Sequence, residues 1–367
     1  MGLVFFAIAA VAAPASAQDA LRFAVVGDTP YTAEDRVFLW KSLVPAIKAS
    51  DYPFIIHVGD IIGGADGCNT DKIRAWRDEI YSWKPGRVFY TPGDNEWTDC
   101  DRPKDASEPA AGTPATRRVL EANLGKPLPE LDRLDLLRRT FFPAALDLPA
   151  DWAFSSQPNF PENMRWAVNG VQFATLHMVS TNNGRAQIRM DDVQLALAQV
   201  AARDEANRVW LELLFRIARR DDATAVVIAT QADVTNPDGE GPCLGANLIA
   251  CDAFALFREQ LKRLARRFAK PVLLVHGDTN PYCLDRGFGG PGAPNCGAST
   301  CRVTITGRRQ TRPRSPSHHL MRPRPFPPVP LARERHPTRA ADFGIGGRTA
   351  YSAAGAASPF FQLSRLR

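Results

Sequence analysis

Histidine is scarce in this chain: six occur in 367 residues, and only His57, His177 and His276 precede residue 302. That scarcity excludes a metal centre built mainly from imidazole. Cysteine occurs seven times but never as a CxxC pair, and its spacings fit no zinc-knuckle pattern. There is no GxSxG elbow and no cysteine beside a suitable histidine base, which argues against a nucleophilic hydrolase. The first apolar run is not followed by GxGxxG, and no P-loop occurs, so the usual dinucleotide and nucleotide cradles are missing. No short-period repeat is visible. Lysine is absent from residues 302–367, where thirteen arginines face only Glu334 and Asp342. The local balance there is +11, which leaves −5 for the rest of a chain whose total is +6. A mildly acidic domain with a basic tail gives no support for nucleic acid as a specific partner.

What is present suits a globular protein. Hydrophobic residues make up 45% of the chain, enough for a substantial core. The opening residues MGLVFFAIAAVAAPASA combine an apolar run with an Ala-x-Ala site, so residues 1–17 read as a secretory signal cleaved after Ala17. The run is too short to span a bilayer comfortably, and Gln18 stands where a lipoprotein needs cysteine. The expectation is an exported, periplasmic or secreted protein without stable membrane insertion. The cysteines fall in loop-like sequence, which fits an oxidising compartment. Cys68 with Cys100 and Cys243 with Cys251 are candidate disulfides.

Four apolar runs each stop at Gly-Asp: LRFAVVGD at Asp28, FIIHVGD at Asp60, RVFYTPGD at Asp94 and PVLLVHGD at Asp278. Short runs of this kind read as buried strands. They alternate with stretches of helical spacing, AEDRVFLWKSLVPAIKAS, DKIRAWRDEIYSW, DDVQLALAQVAARDEANRVWLELLFRIARR and FALFREQLKRLARRF, which predicts an α/β fold with parallel neighbours. RWAVNGVQFATLHMVS reads as a hairpin turning at Asn169-Gly170, an antiparallel element beside the parallel one. In open α/β sheets ligands bind beyond the carboxyl ends of the strands, so four distant carboxylates are expected to converge there on a divalent metal. Residues 18–301 form the predicted domain. Residues 101–150 change texture and read as an insertion that roofs the site. Residues 302–367 read as a disordered Arg/Pro-rich appendage or an out-of-frame translation.

Gly27-Asp28, Gly59-Asp60-Ile61-Ile62-Gly63, Gly93-Asp94-Asn95-Glu96 and Gly277-Asp278-Thr279-Asn280, in this order, resemble the calcineurin-like metallophosphoesterase family over roughly residues 21 to 285. The resemblance implies a layered αββα sandwich with mixed sheets and a two-metal site at the strand ends. It implies that Asp28 holds one metal, that Asp60 bridges both, and that Asp94 stands where the family has its metal-binding Asn. Gln231, Asp278 and Asn280 occupy positions the family usually gives to His. The family's Asp-x-His reads Asp28-Thr29-Pro30 here, and Asn95 replaces its general-acid histidine.

An oxygen-rich site of this kind favours Mg, Ca or Mn over Fe or Zn, with one or two ions. The expected activity is metal-dependent hydrolysis of a phosphate mono- or diester, with a phosphorylated small molecule as substrate. Asp94 and Asn95 are the catalytic candidates, and Tyr31, Asn95 and Asn182 the substrate-binding ones. His177 is a lesser candidate for the cleft, with Ser180, Asn182 and Asn183, whereas His57 and His276 read as core residues. The alternative is an exported binding protein that keeps the sandwich without catalysis. Oligomeric state and substrate identity are not written in the sequence.

Overall fold

The computed structural model describes residues 21–28, 30–63, 68–100, 129–235, 239–278, 282–285, 301–306 and 362–363, the last three segments as backbone only. All belong to one unit, Met1–Arg308 with Ser358–Arg367. The leader-like residues, Asn280, residues 101–128 and nearly all of the basic tail lie outside the described residues.

The predicted strands and helices form where the patterns place them. β1 (Phe23–Val26) leads to α1 (Ala33–Phe38), whose start is fixed by a reciprocal capping box between Thr32 and Asp35. The helix continues through a π turn at Leu39–Leu43 into α2 (Val44–Ala49). Pro45 lies just inside α2 and has no N–H to return, which accounts for the widened turn before it. β2 (Ile55–His57), α3 (Thr70–Trp83) and β3 (Val88–Tyr90) follow, with the Asn69 side chain accepting from the Asp71 and Lys72 amides at the start of α3. α4 is Glu130–Phe141. β4 (Ser155–Gln157), β5 (Phe160–Val168) and β6 (Val171–Thr175) run antiparallel, and Asn169 and Gly170 both take positive φ at the hairpin turn. α5 (Val193–Arg220), β7 (Ala225–Thr230), α6 (Ala255–Phe268) and β8 (Val272–His276) complete the alternation. β9 (Tyr282–Asp285), β10 (Cys301–Thr306) and β11 (Gln362–Leu363) are backbone strands.

These strands make two mixed sheets. The first runs β11–β1–β2–β3, with β1, β2 and β3 parallel and β11 antiparallel to β1. The second runs β4–β5–β6–β7–β8–β10–β9, with β6, β7 and β8 parallel. β10 pairs antiparallel with β8, so the sheet extends past residue 301, where the sequence suggested that the domain ends.

Alternate side chains define the layers. Phe23, Val25, Phe54, Ile56 and Phe89 of the first sheet share one cluster with Trp166, Phe173, Val227, Leu273 and Val275 of the second, so the two sheets pack face to face. Phe54 is the hub of this layer, with ring centroids 5.0 Å from Phe173, 5.4 Å from Phe23 and Trp166, and 5.5 Å from Phe89. Ala24, Val26 and Ile55 point the other way, into a cluster with residues of α2, α3 and α4. Val226, Ile228 and Leu274 do the same beneath α5 and α6. The chain is an αββα sandwich whose central strands bury both faces, which is why they read as unbroken apolar runs. α4 belongs to this framework: Leu134, Leu137 and Phe141 are buried, and Phe141 stacks on Tyr90 at 4.0 Å. The described end of the 101–150 segment therefore packs on the sheet, and residues 101–128, on which the roofing expectation falls, lie outside the described residues.

Candidate metal centre

Parallel strands deliver their carboxyl ends to one place. Asp28 follows β1, Asp60 follows β2, Asp94 follows β3, Gln231 follows β7 and Asp278 follows β8. Asp28, Asp60 and Asp278 share one local conformation, with φ of 53°, 57° and 60°. Aspartate tolerates the left-handed region better than most residues, and its repetition at three strand ends marks strain kept for a purpose. Two glycines permit the close approach. A methyl at Gly93 would overlap Asp60 Oδ1, and one at Gly277 would overlap Asp28 Oδ2.

One oxygen from each of Asp28, Asp60 and Asp278 lies within 4.8 Å of the other two. Hard cations bind oxygen at about 2.0–2.6 Å, so oxygens of one coordination shell stand up to about 5 Å apart. Asp28 Oδ1 accepts the Asp278 amide at 2.8 Å, but its buried Oδ2 has no hydrogen-bond partner. A buried carboxylate oxygen left in this way is costly unless something positive faces it. Burial, then the charge of Asp278, pushes the Asp28 carboxyl well above the ordinary range. Burial, then Asp94 and Asp28, does the same to Asp60. Asp278, at the open rim, is pushed up to about 7 by burial and by Asp94. Glu96 also rises to about 7 through burial, although it accepts hydrogen bonds from the Ile61 amide at 3.0 Å and the Tyr90 hydroxyl at 3.2 Å. The three clustered carboxylates have the spacing, the donor chemistry and the electrostatic need for one hard divalent cation.

The remaining predicted residues divide. Tyr31 is at the site: its hydroxyl donates to Asp60 Oδ2 at 2.9 Å and accepts from Asn95 Nδ2 at 3.2 Å. The Asn95 amide N–H also faces Asp60 Oδ1 at 3.4 Å. Gln231 is fully buried, with Nε2 donating to Asp60 Oδ2 at 3.2 Å and to Asp94 Oδ1 at 3.1 Å. Asp94 is not among the three clustered carboxylates: Gln231 donates to its Oδ1, and its Oδ2 faces the Thr181 hydroxyl at 3.1 Å, so neutral donors stand where a metal was expected.

Asn182 needs the same correction. Its amide donates to the carbonyls of Ile249 and Cys251 at 2.8 Å each, and its Oδ1 accepts the Ala253 amide at 3.1 Å, leaving nothing for a substrate. His177 lies in the core, not the cleft, with Nδ1 at 2.8 Å from Glu162. His57 sits between Trp83 and Tyr90, and its Nδ1 accepts the Gly59 amide at 3.2 Å, so it shapes the turn before Asp60. His276 is buried at the end of β8, donating from Nδ1 to the Gly277 carbonyl at 3.0 Å.

Residues 181–183, beyond β6, all take positive φ, ahead of Gly184. The Asn-Asn-Gly run favours such a turn, but nothing in the sequence marks what it does for Ser180 and Thr181. Ser180 Oγ donates to Asp278 Oδ2, and its amide donates to Gln231 Oε1 at 2.9 Å. The Thr181 hydroxyl lies between Asp94 and Asp99. The Cys243–Cys251 disulfide closes the loop that Asn182 grips, and Cys68–Cys100 joins the loops after β2 and β3. Asn182→Ala leaves three backbone groups without their partner, of which the Cys251 carbonyl is buried, and chemical denaturation is expected to register a loss of about 1–3 kcal/mol.

No protein-family model matches the sequence, and no curated protein matches it significantly. Among solved structures, a purple acid phosphatase isolated from yellow lupin (Lupinus luteus) seeds is similar over 78% of this chain and 44% of its own, at 9% identity and a TM-score of 0.33. PhoD is similar over 80% of this chain and 57% of its own, at 10% identity and a TM-score of 0.37. The chain thus spans about half the length of the solved structures it matches. At these values the fold assignment rests on the strand order and layering described above.

Proposed function

We propose that this chain is a divalent-cation-dependent phosphoesterase whose site is the triad Asp28, Asp60 and Asp278. The observation that carries the reading is the meeting of three carboxylates, one oxygen of each within 4.8 Å of the others, at the ends of parallel strands, with Oδ2 of Asp28 buried and unpartnered. The cation, when bound, supplies Lewis-acid polarisation and offsets the charge that phosphate brings. The chain's own residues do the rest. Tyr31 and Asn95 lie at the edge of the cluster: the Tyr31 hydroxyl is committed to Asp60, and the Asn95 side-chain amide, which gives one of its two N–H groups to Tyr31, offers the other to a phosphate oxygen. Desolvation around the hydroxyl and the charges of Asp60 and Asp28 keep the Tyr31 phenol protonated, although the residue as a whole is 42% exposed, so it acts as a donor to Asp60. Asn95 carries no proton to give at neutral pH, so the departing alkoxide takes its proton from water.

The two disulfides fit an oxidising compartment, and among the described residues no helix is long and apolar enough to cross a membrane. We place the protein outside the cytoplasm on the disulfides and the leader-like first residues.

Hydrolysis of 4-nitrophenyl phosphate and bis(4-nitrophenyl) phosphate, with Mn²⁺, Mg²⁺, Ca²⁺, Zn²⁺ or Fe²⁺ added to chelator-treated protein, tests the activity. Turnover with at least one cation, abolished by EDTA, is expected. Cation binding without turnover on either ester favours the non-catalytic binding protein. Gly277→Ala forces a methyl into Asp28 Oδ2, with the nearest backbone atom at 3.3 Å, and is expected to weaken cation affinity at least about tenfold while the fold survives, as isothermal titration would show.

A further inference from the structure

Resting on the cation-site reading above, we infer that the centre holds one cation and that the side-chain amide of Gln231 occupies the place of a second. The family resemblance implies two ions bridged by Asp60, one on the Asp28 side and the other on the Asp94 side. The Asp28 side is open, with an unpartnered oxygen. On the Asp94 side, Nε2 of Gln231 spans the two carboxylates that would share the second ion, at 3.2 Å from Asp60 Oδ2 and 3.1 Å from Asp94 Oδ1.

The amide cannot turn its oxygen to a metal at low cost. Its Oε1 accepts the Ser180 backbone N–H at 2.9 Å, so a flip would set N–H against N–H and place the carbonyl oxygen before two carboxylates. An amide nitrogen offers a cation no lone pair. It supplies two polarised N–H groups instead, a partial positive charge where a second ion would bring a full one. On the second carboxylate of that side, Asp94, the other oxygen faces the Thr181 hydroxyl at 3.1 Å, a neutral neighbour shared with Asp99. Gln231 is fully buried between the strand ends, so the arrangement is packed in place. The substrate consequence is a centre that holds a phosphate by one cation, with the Asn95 side-chain amide as a neutral donor beside it.

Manganese titration of the chelator-treated full-length protein, followed by equilibrium dialysis and electron paramagnetic resonance, decides the matter without relying on turnover. The expected result is one Mn²⁺ per chain with the six-line spectrum of an isolated ion. Two ions with a spin-coupled spectrum would overturn the inference and leave the phosphoesterase reading standing. No binding at all would refute the cation site on which both rest. Gln231→His supplies a lone pair at the same position and, with folding checked by circular dichroism, is expected to take up a second, coupled Mn²⁺. A folded variant that stays at one ion would show that the amide is not what excludes it.

Discussion

Asp60→Asn is expected to abolish cation binding and to reduce cation-dependent ester hydrolysis by at least about a thousandfold, the scale at which loss of a central electrostatic group is felt in a water-poor site. Asp60 is nearly fully buried, and its two oxygens face Tyr31, Asn95 and Gln231 as well as the triad. Replacing it removes the charge while keeping the shape. The same substitution is expected to raise the melting temperature of the cation-free protein at pH 8. The sign follows from the direction of the shift. Burial and acidic neighbours raise the folded-state pKa of Asp60, so its ionised form costs stability once pH rises through that value, and Asn carries no such cost. Differential scanning fluorimetry with EDTA and with Mn²⁺ separates the effects: the variant melts higher than wild type in EDTA and gains nothing from Mn²⁺. A variant less stable in EDTA yet still stabilised by Mn²⁺ would place Asp60 in the framework only.

Glu162→Ala is expected to destabilise the fold by about 3–5 kcal/mol at pH 7, the range for breaking a buried ion pair from one side. Glu162 is fully buried on β5, 2.6 Å from Arg138 of α4 and 2.8 Å from His177 beyond β6. Its loss strands both partners. Burial alone would raise its pKa, but His177 and Arg138 outweigh burial and hold the carboxyl at about 2. Burial wins at His177, which is lowered to about 4, and His57 is lowered to about 3 by burial. All three folded values lie below the unfolded ones, so their contribution is present above the unfolded pKa values and is lost as pH falls through the folded ones. Stability of the cation-loaded protein is therefore expected to decline below about pH 6.5. Urea denaturation across pH 4 to 8 measures this, and Glu162→Ala should show a shallower decline below pH 4.5.

The layered fold was legible because its central strands bury both faces and so appear as uninterrupted apolar runs, each stopped by Gly-Asp. The hairpin was legible for a different reason: Asn169-Gly170 supplies two positive φ values, which the turn requires. The Cys68–Cys100 disulfide followed from where its cysteines fall relative to those strands, and Cys243–Cys251 was a candidate among the loop cysteines. The site was legible as far as which strand ends converge, since parallel topology alone brings Asp28, Asp60, Asp278 and Gln231 together. Side-chain allegiance was not. Nothing in the order of residues tells that Asp94 faces Gln231 and Thr181, or that Asn182 grips the disulfide loop. Those outcomes depend on a left-handed turn whose neighbours come from distant parts of the chain. The four Gly-Asp ends also do not reveal that a buried amide and a threonine hydroxyl stand among the carboxylates.

Anomalous diffraction from crystals grown with Mn²⁺ tests the central claim most directly. A manganese peak bound by oxygens of Asp28, Asp60 and Asp278 is the result predicted; a peak elsewhere, or none at these strand ends at millimolar Mn²⁺, would contradict it.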